Sequence, residues 1–331
     1  MKIKNKYLFF LLRIRKDIFN PTVWDLAEDM TDSELKEYYF LFREDTVVNQ
    51  KGGQKSIVSD ENGIPMNPTY IDVKDKDYVY FPITIGQVGL AVFHTYLQTK
   101  SEEDKERFLK FPRWFADNAE ISEELGAIWR TDVSLPQYKN PGSWQSAFVQ
   151  SRAISVLLRG YQLTGNKKWL ELAEQALLPY TVGVKDGGVT SFTPFGPFYE
   201  EYTAEFPVLV LNGMIFAMCG LHDFIRVCPE NRLAQKLYDA GICTLRKIIP
   251  EYDLKFWTKY NLCEADFYPE FDPATIAYQH LHITQMNFLY KLTGESVFKK
   301  YAGIFKKQIS FFNVIKMYFY KYKALKKTGR I

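Results

Sequence analysis

From Pro82 onward the apolar residues recur at helical spacing, and four segments repeat one unit: a helix, a tight polar turn and a second helix. They are TYLQTKSEEDKERF, GYQLTGNKKWLELA, LHDFIRVCPENRLAQKL and LYKLTGESVFKKYA. The aromatic just before each turn is Tyr96, Tyr161, Phe224 and Tyr290, at intervals of 65, 63 and 66 residues. A helical hairpin recurring at such a period is the signature of a solenoid or toroid. Long loops such as 183–207 favour a closed toroid with its loops gathered at one end. The first helix of each pair is apolar nearly all round, as in 146–161 and 208–224, which predicts burial in an inner ring. The second helices, such as 167–178 and 231–245, mix charges with apolar stripes and fit an outer ring. The expected fold is therefore mainly α, an α/α-barrel of about four hairpins.

Ahead of Pro82 the pattern is different. Turn signals at Lys51-Gly52-Gly53, Glu61-Asn62-Gly63 and Met66-Asn67-Pro68 separate short runs at Thr46-Val47-Val48, Tyr70-Ile71-Asp72-Val73 and Tyr78-Val79-Tyr80. One or two β-hairpins are expected there. The chain divides into a basic segment (1–24), a β-hairpin region (25–80), an α/α-barrel catalytic domain (81–310) and a basic-aromatic tail (311–331).

Composition sharpens this picture in two ways. Aromatic residues make up 16% of the 331, and Tyr lines polar clefts as readily as it fills cores. The net charge of +3 implies no broad basic face, so no nucleic-acid partner is expected. Charge is nonetheless concentrated at the ends. Residues 1–16 hold six Lys or Arg around Tyr7-Leu8-Phe9-Phe10-Leu11-Leu12, and 311–331 hold six more with no acid. Neither stretch offers the roughly 20 apolar residues that span a bilayer, and the first is too short for a secretory core. Such ends suit either an anionic membrane surface or a solvated, frayed terminus. Cys219, Cys228, Cys243 and Cys263 show no CxxC spacing and read as thiols in a reducing compartment. The expected location is the cytoplasm, with peripheral contact at the inner face of the membrane.

The chemistry concentrates in FYEEYTAEFPVLVLNG, residues 198–213. Adjacent acids repel and lose solvation when buried, so acids at the start of a buried helix require a partner, a ligand or a reaction. The toroid puts Glu200, Glu201 and Tyr202 at its mouth. YDLKFWTKYNL, with Tyr260 following Lys255 and Lys259, and TIAYQHLHITQM, with Tyr278, His280 and His282, fall at equivalent places. Converging Tyr, Glu, Lys and His make an acid/base constellation. The local alternatives are helix-dipole placement for the two glutamates and an ordinary helix-face pair for Tyr278 and His282. No metal site is expected, because His280 and His282 are two apart with no acid at ligand spacing. No cofactor is expected either, since glycine-rich phosphate and dinucleotide loops are missing from the sequence.

Several of these stretches, in order, resemble the catalytic helical domain of the D-glucuronyl C5-epimerases, which convert D-glucuronate to L-iduronate in heparan-type chains. They are FPITIGQVGL, SWQSAFVQSRAISVLLRGYQLTG, FYEEYTAEFPVLVLNGMIFAMCGLHDF, residues 250–260 and AYQHLHITQM. The resemblance implies an α/α-barrel, a cleft for a uronate-containing polysaccharide, three functional tyrosines and a glutamate. Carried over by motif, these are Glu201 and Tyr202 of E-E-Y, Tyr260 ten residues after Pro250, and Tyr278 opening Y-x-x-x-H. Glu200, His282, His280, Lys259, Arg152 and Asn212 are the expected substrate-binding set. Cys263 replaces an Arg of the animal enzymes, Gln279 replaces a His, and their large β-sandwich has no counterpart here. The implied reaction opposes two tyrosines across the ring, with Lys255, Lys259, Arg152 or His282 helping one to ionise, and with Glu201 relaying protons. Rival readings are a uronate lyase, a glycoside hydrolase pairing Glu201 with Asp253 or Asp266, and a non-catalytic carbohydrate-binding protein of a capsule-assembly system. The outer helices offer a surface for a homodimer.

Overall fold

The computed structural model describes residues 6–19, 24–48, 57–69 and 77–331. Its helices are α1 (Lys6–Phe19), α2 (Glu44–Val48), α3 (Pro82–Thr99), α4 (Glu102–Asp117), α5 (Ala147–Thr164), α6 (Lys167–Gln175), α7 (Leu211–Val227), α8 (Arg232–Ile248), α9 (Ile276–Thr293), α10 (Ser296–Lys307) and α11 (Phe311–Lys327). The strands are β1 (Val58–Ser59), β2 (Pro65–Pro68), β3 (Tyr78–Tyr80), β4 (Glu120–Ser122), β5 (Gly126–Ile128), β6 (Thr190–Thr193) and β7 (Gly196–Tyr199). They form one three-stranded and two two-stranded antiparallel sheets. The fold is mainly α.

The sequence repeat corresponds to a repeated way of ending a helix. The carbonyls of Tyr96, Tyr161, Phe224 and Tyr290 each accept the backbone N–H of the residue four later: Lys100, Gly165, Cys228 and Gly294. Gly165 and Gly294 take left-handed φ values of 71°, a conformation that costs glycine nothing. The next helix then starts from a side-chain cap, Ser101 on α4, Asn166 on α6 and Asn231 on α8. The first helices pack in chain order, α3 on α5, α5 on α7 and α7 on α9, each paired with its own second helix. Nearly every residue of α5 and α7 is buried, whereas α6 and α8 bury only a stripe.

Residues 24–43 tie the first hairpin to the last. The Tyr38 N–H donates to His94 Nε2 on α3 at 2.8 Å. The rings of Tyr39 and Phe40 lie 5.3 and 5.1 Å from Phe288 on α9, and Lys291 Nζ donates to the carbonyls of Ala27 and Glu28. Beneath this segment Asp223 of α7 accepts from Arg159 of α5 at 2.7 Å, with Arg226 3.6 Å away.

Two expectations need correction, the strand at 46–48 and the frayed ends. The run Thr46-Val47-Val48 is helical, because Glu44 and Asp45 supply a favourable acidic first turn. Of the expected strands, 78–80 pairs in the sheet β1-β2-β3, while 70–73 lies outside the described residues. Both charged ends contain helices that pack instead of fraying: α1 contacts α9, Lys321 of α11 donates to Asp272, and the Phe10 ring of α1 meets Tyr318 edge to face at 6.4 Å and Tyr322 at a tilt at 6.3 Å. Among the described residues no helix is long and apolar enough to cross a membrane.

Candidate active site

The loops preceding α7 and α9 meet at one end of the helix row, and a cavity of about 270 Å³ opens there. Tyr202, Tyr260 and Tyr278 all line it, joined by Tyr138 and Tyr268. Tyr260 meets Tyr278 edge to face at 5.0 Å, Tyr202 meets Trp144 at 5.1 Å, and Tyr138 stacks on Tyr268 at 5.6 Å. Edge-to-face aromatic contacts of this kind fix ring orientation while leaving each hydroxyl its own partner. Asn261 Nδ2 donates to the hydroxyls of Tyr138 and Tyr268, at 3.0 and 2.9 Å. Tyr268 in turn donates to Asp272 Oδ2 at 2.7 Å, and the Tyr260 N–H donates to the Asp272 carbonyl at 2.9 Å.

Roofing the cavity are α1 and α11, which contribute Phe10, Ile14 and Asp17 on one side and Tyr318, Lys321 and Leu325 on the other. Among the described residues that line it, the basic ones are Lys321 and Arg330, both from the C-terminal segment. Lys321 Nζ donates to Asp272 Oδ1 at 2.6 Å and sits 5.7 Å from the centre of the Tyr260 ring.

Glu201 stands behind this wall, 4% exposed. Burial raises its carboxyl to about 7, and hydrogen bonds from Tyr202 and Asn212 hold it from going higher. Asn212 Nδ2 donates to Glu201 Oε2 at 3.1 Å. Gly213 explains how the acid fits: a Cβ on this residue would fall 2.3 Å from Glu201 Cβ. The N-G pair at the start of α7 is therefore the seat of the glutamate. Burial also raises the Tyr260 hydroxyl well above its ordinary value, and the charge of Glu201 and the neighbouring Tyr202, Tyr278 and Tyr138 push the same way. Tyr260 is a neutral phenol at pH 7.

The other sequence-derived residues lie elsewhere, each for a physical reason. Glu200 is buried as a structural anchor: Oε1 accepts from the Ser191 hydroxyl at 2.6 Å and the Val208 N–H at 3.1 Å, and Oε2 accepts from the Leu209 N–H at 2.9 Å. Leu209 has φ +55°, a left-handed conformation costly for a branched side chain, and Tyr252 further holds it by donating to its carbonyl at 2.7 Å. That strained anchor keeps residues 207–210 out of the helix, so the helix expected from 208 begins at Leu211. We expect Glu200→Ala to leave three donors unpaired and to cost about 2–4 kcal/mol in urea unfolding. A loss under about 0.5 kcal/mol, the ordinary scale of a surface change, would contradict the anchoring role.

Arg152 is fully buried in a cage of rings, its guanidinium 4.7–5.1 Å from the centres of Tyr38, Phe42, Phe148 and Phe216. Gly86 opposite makes room for its stem, since a Cβ there would fall 2.5 Å from Arg152 Cβ. His282 is also buried; its Nδ1 lies 2.9 Å from the Thr258 hydroxyl, and burial lowers it to about 3, so it is uncharged. His280 and Lys259 are half-buried and do not line the cavity, and Lys255 is 85% exposed against Asp253. Lys255, Lys259, Arg152 and His282 all lie off the cavity, which corrects the expectation that they help one of its tyrosines to ionise. The hydrolase carboxylates also lie off the cavity, Asp253 bonded to Gln308 at 2.6 Å and Asp266 exposed. The four cysteines are free thiols.

Tyr138, Tyr268, Asp272, Lys321 and Gly213 were not read from the sequence as site residues. Lys321 left a signal: in α11 the stripe Val314, Met317, Tyr318, Ala324 and Leu325 is apolar and Lys321 stands inside it.

The family described as D-glucuronyl C5-epimerase C-terminus matches residues 123–307, more than half of the chain. The D-glucuronyl C5-epimerase of Caenorhabditis elegans is 30% identical over 231 residues, 66% of this chain. The chain spans 38% of that protein's length. An uncharacterised protein of Methanocaldococcus jannaschii is 26% identical over 285 residues, covering 79% of this chain and 88% of its own length. The matched region carries Tyr202, Glu201, Tyr260 and Tyr278 together, and the chain belongs to the D-glucuronyl C5-epimerase C-terminus family.

Proposed function

We propose that this protein is an isomerase that inverts C5 of D-glucuronate to L-iduronate in a uronate-containing polysaccharide of the heparosan or capsular kind. The observation that carries the reading is three phenols around one cavity with a raised carboxyl hydrogen-bonded behind one of them. Removing the C5 proton, α to a carboxylate, and returning one to the opposite face needs an acceptor and a donor on two sides. Ionised Glu201 takes the Tyr202 hydroxyl proton as that oxygen takes the proton from C5. The C–H electron pair moves into the carboxylate as an enediolate. Lys321 and Arg330 stabilise this charge, the largest contribution such a site makes. Tyr260 gives its proton to the other face of C5, becomes a phenolate and recovers a proton from water, while Glu201 releases its own. One proton leaves and one enters per turnover. The cavity, just under the roughly 300 Å³ at which ligand pockets begin, suits a single ring of the polymer.

Incubation of heparosan with the protein in deuterated water tests this, with deuterium at C5 and iduronate read by NMR. Because only the ionised form of Glu201 accepts a proton, exchange rises with pH through about 7. Glu201→Gln should lower exchange by about 100-fold or more and flatten that rise. An inflection near the ordinary glutamate range instead would remove Glu201 from the relay. An ultraviolet-absorbing unsaturated product would identify elimination in place of epimerisation.

A further inference from the structure

Helices α1 and α11 each show two apolar faces, and only one is used by the fold. In α11 the inner stripe buries Met317 and Ala324 and lines the cavity with Tyr318, Lys321 and Leu325. The outer stripe, at helical spacing, is Phe312, Ile315, Lys316, Phe319, Lys323 and Lys326, every one exposed. Phe312 is 80% and Phe319 55% exposed. The same division runs along α1: Phe10, Ile14 and Asp17 face the cavity, while Leu8, Leu11, Arg15 and Ile18 are exposed. The Phe10 contacts with Tyr318 and Tyr322 bring the two helices together, so the outer stripes share one end of the molecule.

An exposed surface holding this many large apolar side chains marks an interaction site. Charge decides the partner. α11 has no acid, and the single acid of α1, Asp17, is buried at the cavity. A second copy pairing through this surface about a two-fold axis would bring lysines against lysines. A layer that is apolar below and anionic above complements both features, since rings enter the acyl boundary while Lys stems reach up to phosphates.

We propose that the paired outer stripes of α1 and α11 form an interfacial docking surface for an anionic lipid membrane, which sets the tyrosine cavity near the bilayer. The inference goes beyond the epimerase reading and does not depend on it. Each lysine close to an anionic surface strengthens binding by about five-fold. Attraction weakens with salt, as the screening length falls from about 10 Å at 0.1 M to about 3 Å at 1 M.

The full chain is mixed with vesicles of phosphatidylcholine alone, or of phosphatidylcholine with phosphatidylglycerol, and bound protein is measured by flotation. Binding to the phosphatidylglycerol vesicles only, falling as salt rises, is expected. Lys316→Glu with Lys323→Glu, and separately Phe312→Ser with Phe319→Ser, should each weaken it by about ten-fold or more, with unchanged circular dichroism and melting. These positions are exposed, so neither pair should unfold the protein. Equal binding to both vesicles, no binding, or full binding by either variant overturns the proposal. So does a wild-type dimer in sedimentation equilibrium that Phe312→Ser with Phe319→Ser turns into a monomer, which would assign the surface to a second copy.

Discussion

Tyr260→Phe is expected to reduce C5 deuterium incorporation by about 10²–10⁴-fold, the range of a positioned acid/base group. The substitution removes one oxygen and keeps the ring, so the edge-to-face contact with Tyr278 at 5.0 Å survives and thermal stability should change little. Burial and the nearby Glu201 hold this hydroxyl neutral, which makes it a donor at neutral pH. Its loss should therefore lower the rate of the step while leaving oligosaccharide binding, followed by calorimetry, close to wild type. Exchange within a few-fold of wild type would remove Tyr260 from the chemistry, and the donor would then have to be sought in Tyr278, the other ring of the pair.

Asp223→Ala should have the largest effect on stability, about 3–5 kcal/mol, because it strands buried positive charge. Arg159 and Asp223 are both wholly buried, 2.7 Å apart, and Arg226 is 3.6 Å from the same carboxylate. The two arginines also donate to the carbonyls of Lys36 and Asp32, so the network fastens residues 24–43 onto α5 and α7. Burial alone would raise the Asp223 carboxyl, but the charges of Arg159 and Arg226 outweigh it and hold the carboxyl below its ordinary value. The sign follows: its contribution is complete above the ordinary carboxylate value near 3.8 and is lost as pH falls through the depressed one. The gap between wild type and variant in urea unfolding should therefore narrow on strong acidification. A loss below about 1 kcal/mol at neutral pH would show the arginines to be satisfied without the aspartate.

Much of this molecule can be read in its chain, because helices and their turns are local. The apolar run of α5, its Ser146 cap and the left-handed Gly165 follow from residues within a few positions of one another. The E-E-Y, Y-D-L-K-F-W-T-K-Y and Y-x-x-x-H stretches likewise named three of the tyrosines that share the cavity. Their neighbours were another matter. Glu200 and Glu201 are adjacent and equally acidic in sequence, yet one is tied to the Val208 and Leu209 N–H groups and the other to Asn212. Nothing local distinguishes them; the alternation of their directions does.

The sequence by itself determined the hairpin repeat, the buried first helices and the types of side chain available for proton transfer. Tertiary structure decided which cations stand beside them: Arg152 went into a cage of four rings, while Lys321, some sixty residues from Tyr260, came to within 5.7 Å of its ring centre. The reason is that periodicity fixes which face of a helix is apolar, whereas the partner that covers a face depends on contacts between distant segments. Where α1 and α11 came to rest, over the tyrosines with a second apolar face turned outward, is the clearest case.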